Sequence, residues 1–573
     1  MTSRDPLDLL IIGAGISGIV AARFYLDIHP ECNLALLERD ACIGGTWGWD
    51  RLYPGFKAQA STRMCSFSDI PLSVPPGGAD DLDCPDSRHI AEYLDIYVDK
   101  HLYNGRSIRD RIHLDTSVTE LKKVGELWRA KASQKGSIVE FMAKKVIVAS
   151  GNTSVPNMPN LPGKDQFGGL IVHSMDYGRS WKTLSDSKFD KFAVLGGGKS
   201  AADMVYQLAK AGKQVTWIIR KSGKGVGTLI YGKGVGQFKN LGELARTRAF
   251  SRLFLSGLRS KTWLDWVLWD TWAGQVFRNW FDGMAMEVSV KQARWDDRKN
   301  AREGFQLLKS QSKPNFLAGP AGMVQWDDFW DTIATQVDVC RKDIDRLESH
   351  KIFFTDGSEL EADALMCGTG FKMPYPFFTE AELVRLGLPH NPNLESPTER
   401  EEWNRLEKEA EDQVIQQYPI LAQPYPNLPE HFGDIDTRLT PFRLHQVIGP
   451  ITDQSIAFVG VGTLSNMFEA VEVEAIWATG FLDGTVKLPD VETMKREVAF
   501  RNAYMRLRVP TYGHPGHFFL FDAFPYIEGL LERDLGLKSW HHKTLLEEWT
   551  SPYLPCDLKG VKDEYLEKYG KTA

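Results

Sequence analysis

The sequence predicts an α/β protein: two Rossmann-like dinucleotide-binding domains, one inserted in the other, plus a helical insertion and a C-terminal helical extension. Three observations predict it. First, Leu9-Leu10-Ile11-Ile12-Gly13-Ala14-Gly15-Ile16-Ser17-Gly18 is an apolar run leading into G-x-G-x-x-G. Second, Phe192-Ala193-Val194-Leu195-Gly196-Gly197-Gly198-Lys199-Ser200-Ala201 repeats the pattern with alanine in the third place. In such a strand–turn–helix unit the first glycine makes the turn and the second admits backbone close to a pyrophosphate. The third small residue lets helix pack on strand, and the helix N-terminus faces the phosphates. Third, a turn-rich stretch precedes the second unit, and a hairpin and a glycine-rich segment follow it, as an inserted domain requires.

The two units end in opposite charges. The first continues into Leu34-Ala35-Leu36-Leu37 and ends at Glu38, twenty residues past Gly18. An acid there accepts hydrogen bonds from ribose hydroxyls and repels a 2′-phosphate. The second continues into Val215-Thr216-Trp217-Ile218-Ile219 and ends at Arg220 and Lys221, nineteen residues past Ala201. Cations there favour a 2′-phosphate, arginine by a bidentate fork. The first site therefore suits FAD or NAD, and the second suits NADPH.

The elements follow in order. After the first unit come Gly44-Gly45-Thr46-Trp47, a loop-rich stretch to about 86, a helix over 87–102, strands near 117–123 and 128–132, and a strand ending at Ser150-Gly151. The Pro- and Gly-rich stretch 152–163 reads as a linker into the second domain. Lys351–Thr355, the Asp356-Gly357 turn and Leu360–Met366 read as a hairpin leading to Cys367-Gly368-Thr369-Gly370-Phe371. The expected layout is 1–165 for the first part of the FAD domain and 166–350 for the NADPH domain, with an insertion at about 222–340. Residues 351–480 complete the FAD domain, and 481–573 form the extension. From Trp263 to Met284, apolar residues with five tryptophans recur at helical spacing. That predicts a core-facing helix; a lid over the substrate pocket and a helix in a membrane interface are the alternatives.

Composition narrows the function classes. The 573 residues carry a net charge of −7, which implies no general affinity for nucleic acid. Seven cysteines without C-x-x-C pairs argue for a reducing compartment and against a disulfide framework or a zinc site. His541-His542 has no third ligand at metal spacing, so no metal is expected. The N-terminus enters the first strand within eight residues with no secretory signal ahead of it. A cytoplasmic protein, possible peripheral contact with an internal membrane included, is the expectation.

Gly44-Gly45-Thr46-Trp47 behind an FAD fingerprint resembles the class B flavoprotein monooxygenases, the flavin-containing and Baeyer–Villiger monooxygenases. So does Phe167-x-Gly169-x-x-x-His173-x-x-x-Tyr177, where Baeyer–Villiger enzymes typically carry tryptophan at the last place. Met64-Cys65-Ser66-Phe67-Ser68-Asp69-Ile70-Pro71 is similar to the flavin-containing branch, whereas Trp47-Gly48-Trp49-Asp50-Arg51-Leu52-Tyr53-Pro54-Gly55 is similar to the Baeyer–Villiger pattern with one extra residue. The resemblance runs from about 7 to 478, apart from the insertion. It implies FAD and NADPH as cofactors, and O2 with a small organic molecule as substrates. Oxygen transfer then runs through a C4a-(hydro)peroxyflavin. N- or S-oxygenation or hydroxylation is the first expectation, and insertion into a ketone to give ester or lactone the alternative.

The resemblance also carries roles. Gly13, Gly15, Gly18, Glu38, Gly45, Thr46 and Trp47 would hold FAD; Gly196, Gly198, Lys199, Ser200, Arg220 and Lys221 would hold NADPH. Gln59 stands where the flavin-containing branch has asparagine and the Baeyer–Villiger branch aspartate. Gln59, Asp69 and Asn466 are the candidate catalytic residues, with loop anchoring as the other reading for Asp69 and for His173, and helix capping for Asn466. Arg438 and Arg443 are the candidates for an active-site arginine, with a surface or structural role as the other reading. Gly460-Val461-Gly462 opens a helix whose positive end would face the flavin. A disulfide reductase needs a redox cysteine pair after the first unit, and none is there. A non-enzymatic flavin-bound protein has no use for a site that selects NADPH.

Overall fold

A computed structural model of the chain describes residues 5–310, 321–423 and 439–570. Leu7–Ile12 is apolar along its length because a parallel neighbour stands on each side, Leu34–Leu37 and Ser137–Val148. Ile112–His113 extends the sheet beyond Leu34–Leu37. Ile456–Phe458 lies parallel to Ser137–Val148, and Leu127–Gln134 and Thr116–Val124 complete seven strands as an antiparallel meander. The helices Ile16–Ile28 and Met467–Asp483 pack together against this sheet.

The second sheet has five strands, all parallel, in the order Leu170–His173, Ala364–Cys367, Lys191–Leu195, Gln214–Ile219, Val337–Arg341. This corrects the expected boundary at 351. Ala364–Cys367 is buried at all four positions: its edges pair with Leu170–His173 and Lys191–Leu195, and its faces join two apolar clusters, Ala364 and Met366 one, Leu365 and Cys367 the other. The hairpin strands Lys351–Phe354 and Glu359–Glu361 pair with Ile344–Glu348 in a small antiparallel sheet beside it. Residues 351–367 thus belong to the second domain. The chain leaves at 368–372, where Phe371–Lys372 pairs with Val155–Pro156 and Thr369 Oγ1 donates to Asn157 O at 2.7 Å. Both crossings between domains run side by side.

Two further expectations are corrected. The 263–284 segment is two helices, Trp263–Asp270 and Trp272–Ala293, because Thr271 has extended backbone and its hydroxyl caps the second helix at Gly274 N. Only part of it faces the core: of its five tryptophans Trp269 alone is buried, joining the first sheet's core, and Phe281 is buried against Phe250 and Phe254. The C-terminal extension is built into the body of the protein. Phe519, Tyr526, Leu530, Trp540, Tyr553 and Tyr565 join the same continuous core as the first sheet. No helix among the described residues is long and apolar enough to cross a membrane.

Candidate functional site

The two glycine turns are built so that backbone alone can face a ligand. Gly13 has φ +106°, and a Cβ there would stand 2.5 Å from Ala149 O; a Cβ on Gly18 would meet Gly13 O at 1.9 Å. Gly15 caps helix Ile16–Ile28 with no side-chain acceptor and no acid in the first turn. The first N–H groups are therefore left to an anion. Gly45 faces Gly15 across this turn; a Cβ on Gly45 would lie 3.3 Å from Gly15 Cα. The second turn repeats the arrangement. Gly196 has φ +137°, and a Cβ on it would meet Gly368 O at 2.2 Å; Gly198 caps helix Lys199–Lys210 without a side-chain bond. A pyrophosphate fits each cradle, where no side chain fits.

Glu38 is buried beside the first turn. Its carboxylate accepts from Ala14 N at 2.8 Å and Asp40 N at 2.9 Å. Burial raises its proton affinity, and the two backbone donors oppose that rise. Arg220 and Lys221 are exposed at the end of Gln214–Ile219, and neither makes an ion pair among the described residues. Ser200 is exposed on the first turn of its helix. Lys199 is partly engaged already: its ammonium pairs with Asp203 one turn on and lies 5.2 Å from the Trp326 ring.

From Gly45–Trp47 an aromatic run leads into the second domain. Trp47 stacks on Phe56 at 5.3 Å, Phe56 on Tyr53 at 4.8 Å, and Tyr53 meets Tyr177 edge-on at 4.8 Å. Thr46 Oγ1 is 2.9 Å from Thr153 Oγ1 in the linker. His173 anchors the return crossing, Nε2 to Gly370 O at 2.9 Å, and Met175 N donates to its Nδ1. Burial lowers its pKa, so the ring is neutral and its tautomer is fixed by these bonds. That is the loop-anchoring role.

The catalytic candidates fare differently. Gln59 lies where the domains meet. Its Oε1 accepts from Met323 N at 2.8 Å, and Gln325 Nε2 returns a bond to Ala58 O at 3.2 Å. Strand Ala321–Val324 is thus laid against this loop, and residues 321–340 contain no lysine or arginine. Asp69 is withdrawn from chemistry by its surroundings. Tyr97 Oη donates to one oxygen at 3.0 Å, while His101 Nε2 (2.7 Å) and Arg23 Nη2 (3.3 Å) hold the other. Burial opposes its charge, yet His101, Arg23 and Tyr97 hold the carboxyl at about 2. It anchors the loop onto helices Ile16–Ile28 and Ser87–Lys100. Asn466 precedes helix Met467–Asp483, is buried, and donates from Nδ2 to Glu469 Oε2 at 3.5 Å instead of capping the helix with its side chain. Arg443 is structural: it pairs with buried Glu395 and lies 4.3 Å from the Trp403 ring. Arg438 lies outside the described residues.

Three buried acids on helix Met467–Asp483 escaped sequence reasoning, although charges inside an apolar run were the available signal. Glu472 accepts from Ser68 N at 2.9 Å and Ser68 Oγ at 2.5 Å, with Arg23 Nη1 at 3.4 Å. Glu474 accepts from Gly460 N at 2.6 Å and Tyr526 Oη at 3.1 Å. Burial lifts both carboxyls to about 7 against these donors. Glu469 pairs with Arg246 of the insertion at 2.6 Å, both side chains fully enclosed. The insertion also reaches the 57–69 loop, where Glu243 accepts from Ser61 Oγ at 2.6 Å and Arg63 Nη2 at 2.7 Å. From the C-terminal side, Thr463 N donates to His517 O and Phe519 N to Thr463 O, closing over the loop ahead of that helix.

The family model described as pyridine nucleotide-disulphide oxidoreductase matches residues 10–228, which span both glycine turns. All seven cysteines are free. The FAD-dependent monooxygenase rstn6 of Aspergillus nomiae NRRL is 31% identical over 589 residues, covering 98% of each chain. Among solved structures, steroid monooxygenase bound to NADP covers 92% of this chain and 97% of its own, at 17% identity and TM-score 0.57. The S-allyl-L-cysteine S-oxygenase of Allium sativum covers 98% and 99%, at 16% identity and TM-score 0.51. Both share the fold.

Proposed function

We propose the reaction of this chain from one premise: it belongs to the FAD-dependent monooxygenases. It uses NADPH and O2 to place one oxygen atom on an electron-rich nitrogen or sulfur of a small organic molecule, and the second oxygen leaves as water. Bound FAD supplies the redox chemistry, taking a hydride from NADPH and activating O2.

The chain's own residues bind, discriminate and exclude water. The Gly13–Gly18 and Gly196–Ala201 turns offer N–H groups to two pyrophosphates. Glu38 rejects a phosphorylated ribose in the first site, and Arg220 with Lys221 attracts one in the second. The positive end of helix Met467–Asp483 lies behind the Gly460–Asn466 loop, where it stabilises anionic charge. The Thr463–Phe519 contact and the Trp47–Phe56–Tyr53 wall keep water from the space between the domains.

One observation carries the choice between branches. Gln59, the residue in the place of the branches' asparagine or aspartate, is a neutral amide spent on the Met323 backbone, with no cation on the strand it touches. A site that must stabilise a deprotonated, nucleophilic oxidant for attack on ketones needs a positive partner. A neutral amide in that place favours the protonated, electrophilic form, which soft nitrogen and sulfur accept. Product analysis tests this: the FAD-loaded protein, supplied with NADPH, an alkyl aryl sulfide, a tertiary amine and a cyclic ketone, is expected to give sulfoxide or N-oxide. Ester or lactone as the main product refutes the assignment.

A further inference from the structure

Helices Trp263–Asp270 and Trp272–Ala293 are turned inside out relative to a water-facing pair. Trp263 is 76% exposed, Trp266 56%, Trp272 78% and Trp280 59%, and Val276, Phe277 and Met284 lie exposed with them. Three charged side chains among these residues point inward, while Asp270, Glu287 and Lys291 at the helix ends stay exposed. Asp265 is held by Arg259 at 2.7 Å and by Thr262 Oγ1 at 2.6 Å; Arg278 donates to Leu268 O beneath the Trp269 ring; Asp282 is buried. Between Trp272 and Met284 no charged side chain is exposed. A solvated helix does the reverse, with apolar stripe in and charge out.

A second segment, remote in sequence, adds to this surface. Leu545 and Leu546, 81% and 73% exposed, sit with Trp549 on helix Leu545–Thr550. That helix packs on the short helix Arg248–Ser251, where Arg248 lies 3.9 Å from Glu548. Phe250 of the same short helix meets Phe281 of Trp272–Ala293 at 5.9 Å. Two apolar faces therefore flank one element.

We infer that this tryptophan-bearing face docks onto the interfacial layer of a lipid bilayer. The four indoles alone present on the order of 500 Å², at about 200 Å² per tryptophan, which rivals the whole largest apolar patch of an ordinary monomer. A second protein surface is the poorer match. A stable interface needs about 800 Å² per partner with roughly one hydrogen bond per 100–200 Å². Here, between Trp272 and Met284, only Gln275 and Asn279 besides the indoles expose hydrogen-bonding side chains. A bilayer interface asks for neither shape complementarity nor paired polar groups. It takes up indole rings whose N–H stays at the wet end, to a depth of about 5–10 Å. With a net charge of −7 and no exposed cation on the strip, docking rests on apolar area and not on anionic lipid.

The test is co-sedimentation of the FAD-loaded protein with phosphatidylcholine vesicles at about 0.05 and about 0.5 M salt. Binding is expected to be the same at both salts and to fall at least about ten-fold in Trp272→Ser/Trp280→Ser. Flavin absorbance and melting should be unchanged in that variant, since both residues are exposed. Three results overturn the inference: no vesicle binding, binding abolished by salt, or equal binding by the variant. A vesicle-free dimer that the variant dissociates overturns it as well, and assigns the face to a second copy.

Discussion

Removing Arg246 strikes the joint between the insertion and helix Met467–Asp483. Its guanidinium meets Glu469 at 2.6 Å with both side chains 1% exposed, so neither charge has water to fall back on. Glu469 has one other neutral donor, Asn466 Nδ2 at 3.5 Å, and burial already raises its pKa against the pull of Arg246. Arg246→Met keeps the bulk over Phe524 and leaves an enclosed carboxylate without its cation, a change that costs about 3–5 kcal/mol. For a unit of 150–250 residues that is a drop of roughly 10 °C in the first thermal transition. The companion Arg246→Met/Glu469→Gln removes both charges and should recover most of it, to within about 1 kcal/mol of wild type. The sign with pH is fixed. A carboxyl whose folded pKa lies above its unfolded value binds protons more tightly when folded, so its contribution worsens as pH rises past the unfolded value. Arg246→Met should therefore melt closer to wild type at pH 5 than at pH 8. The assay is differential scanning calorimetry of wild type, both single variants and the double at the two pH values. A loss under about 1 kcal/mol in Arg246→Met, or a double variant no better than the single, refutes the account.

Two more outcomes follow from the same physics. Glu474, lifted from 4.5 to about 7, has no cationic partner among the described residues; Tyr526 Oη, which lies 3.1 Å away, also reaches Gln446 O at 2.9 Å with its single proton. Glu474→Gln mimics the protonated acid, so it should stabilise by up to about 3 kcal/mol at pH 8 and by almost nothing at pH 4.5, read as a melting shift; equal shifts at both pH values refute it. Arg220→Ala/Lys221→Ala should raise KM for NADPH by roughly 10–100-fold, the loss of charge-assisted bonds worth about 1.5–3 kcal/mol, and leave KM for NADH unchanged; a parallel rise for both nucleotides places the phosphate elsewhere.

What could be read from sequence was what is local. A glycine turn and the charge that ends its second strand lie within about thirty residues, so Gly13, Glu38, Gly196 and Arg220 stand where spacing put them. Periodicity found the helical character of 263–284 but not its orientation, because a stripe of apolar residues records amphipathicity without saying which side meets water. The break was legible after the fact: Asp270-Thr271 is a capping signal inside the periodic run. For Asp69 and Arg443 the choice between a catalytic and a structural role was not legible in the sequence, for one reason. Their partners, His101, Arg23 and Glu395, are distant in the chain, and a motif gives no view of what neutralises it. The same holds for Ala364–Cys367, whose apolar run identified a strand but not its parallel neighbours.

The distribution of contacts separates cofactor handling from substrate choice. Both glycine turns, Glu38 and Arg220 rest on buried parallel strands of the two sheets. The domains are tied at their common edge by Arg179, which pairs with Asp40 at 3.0 Å, Asp50 at 2.5 Å and Asp176 at 2.9 Å, beside the Arg51–Asp40 pair at 2.6 Å. The 57–69 loop and the helix Met467–Asp483, in contrast, are gripped by Glu243, Arg246 and Met323 from the insertion and by Phe519 and Tyr526 from the C-terminal segment. Those clamps set the walls nearest Gln59 and Asn466, while the insertion also braces the second nucleotide turn, where Gly227 N donates to Gly197 O at 2.8 Å. A change in the insertion away from 225–227 and 321–324 can therefore reshape the substrate space while the first turn keeps its geometry. The buried Arg246–Glu469 pair marks the limit of that freedom, since any substitute must still satisfy a carboxylate enclosed behind Asn466.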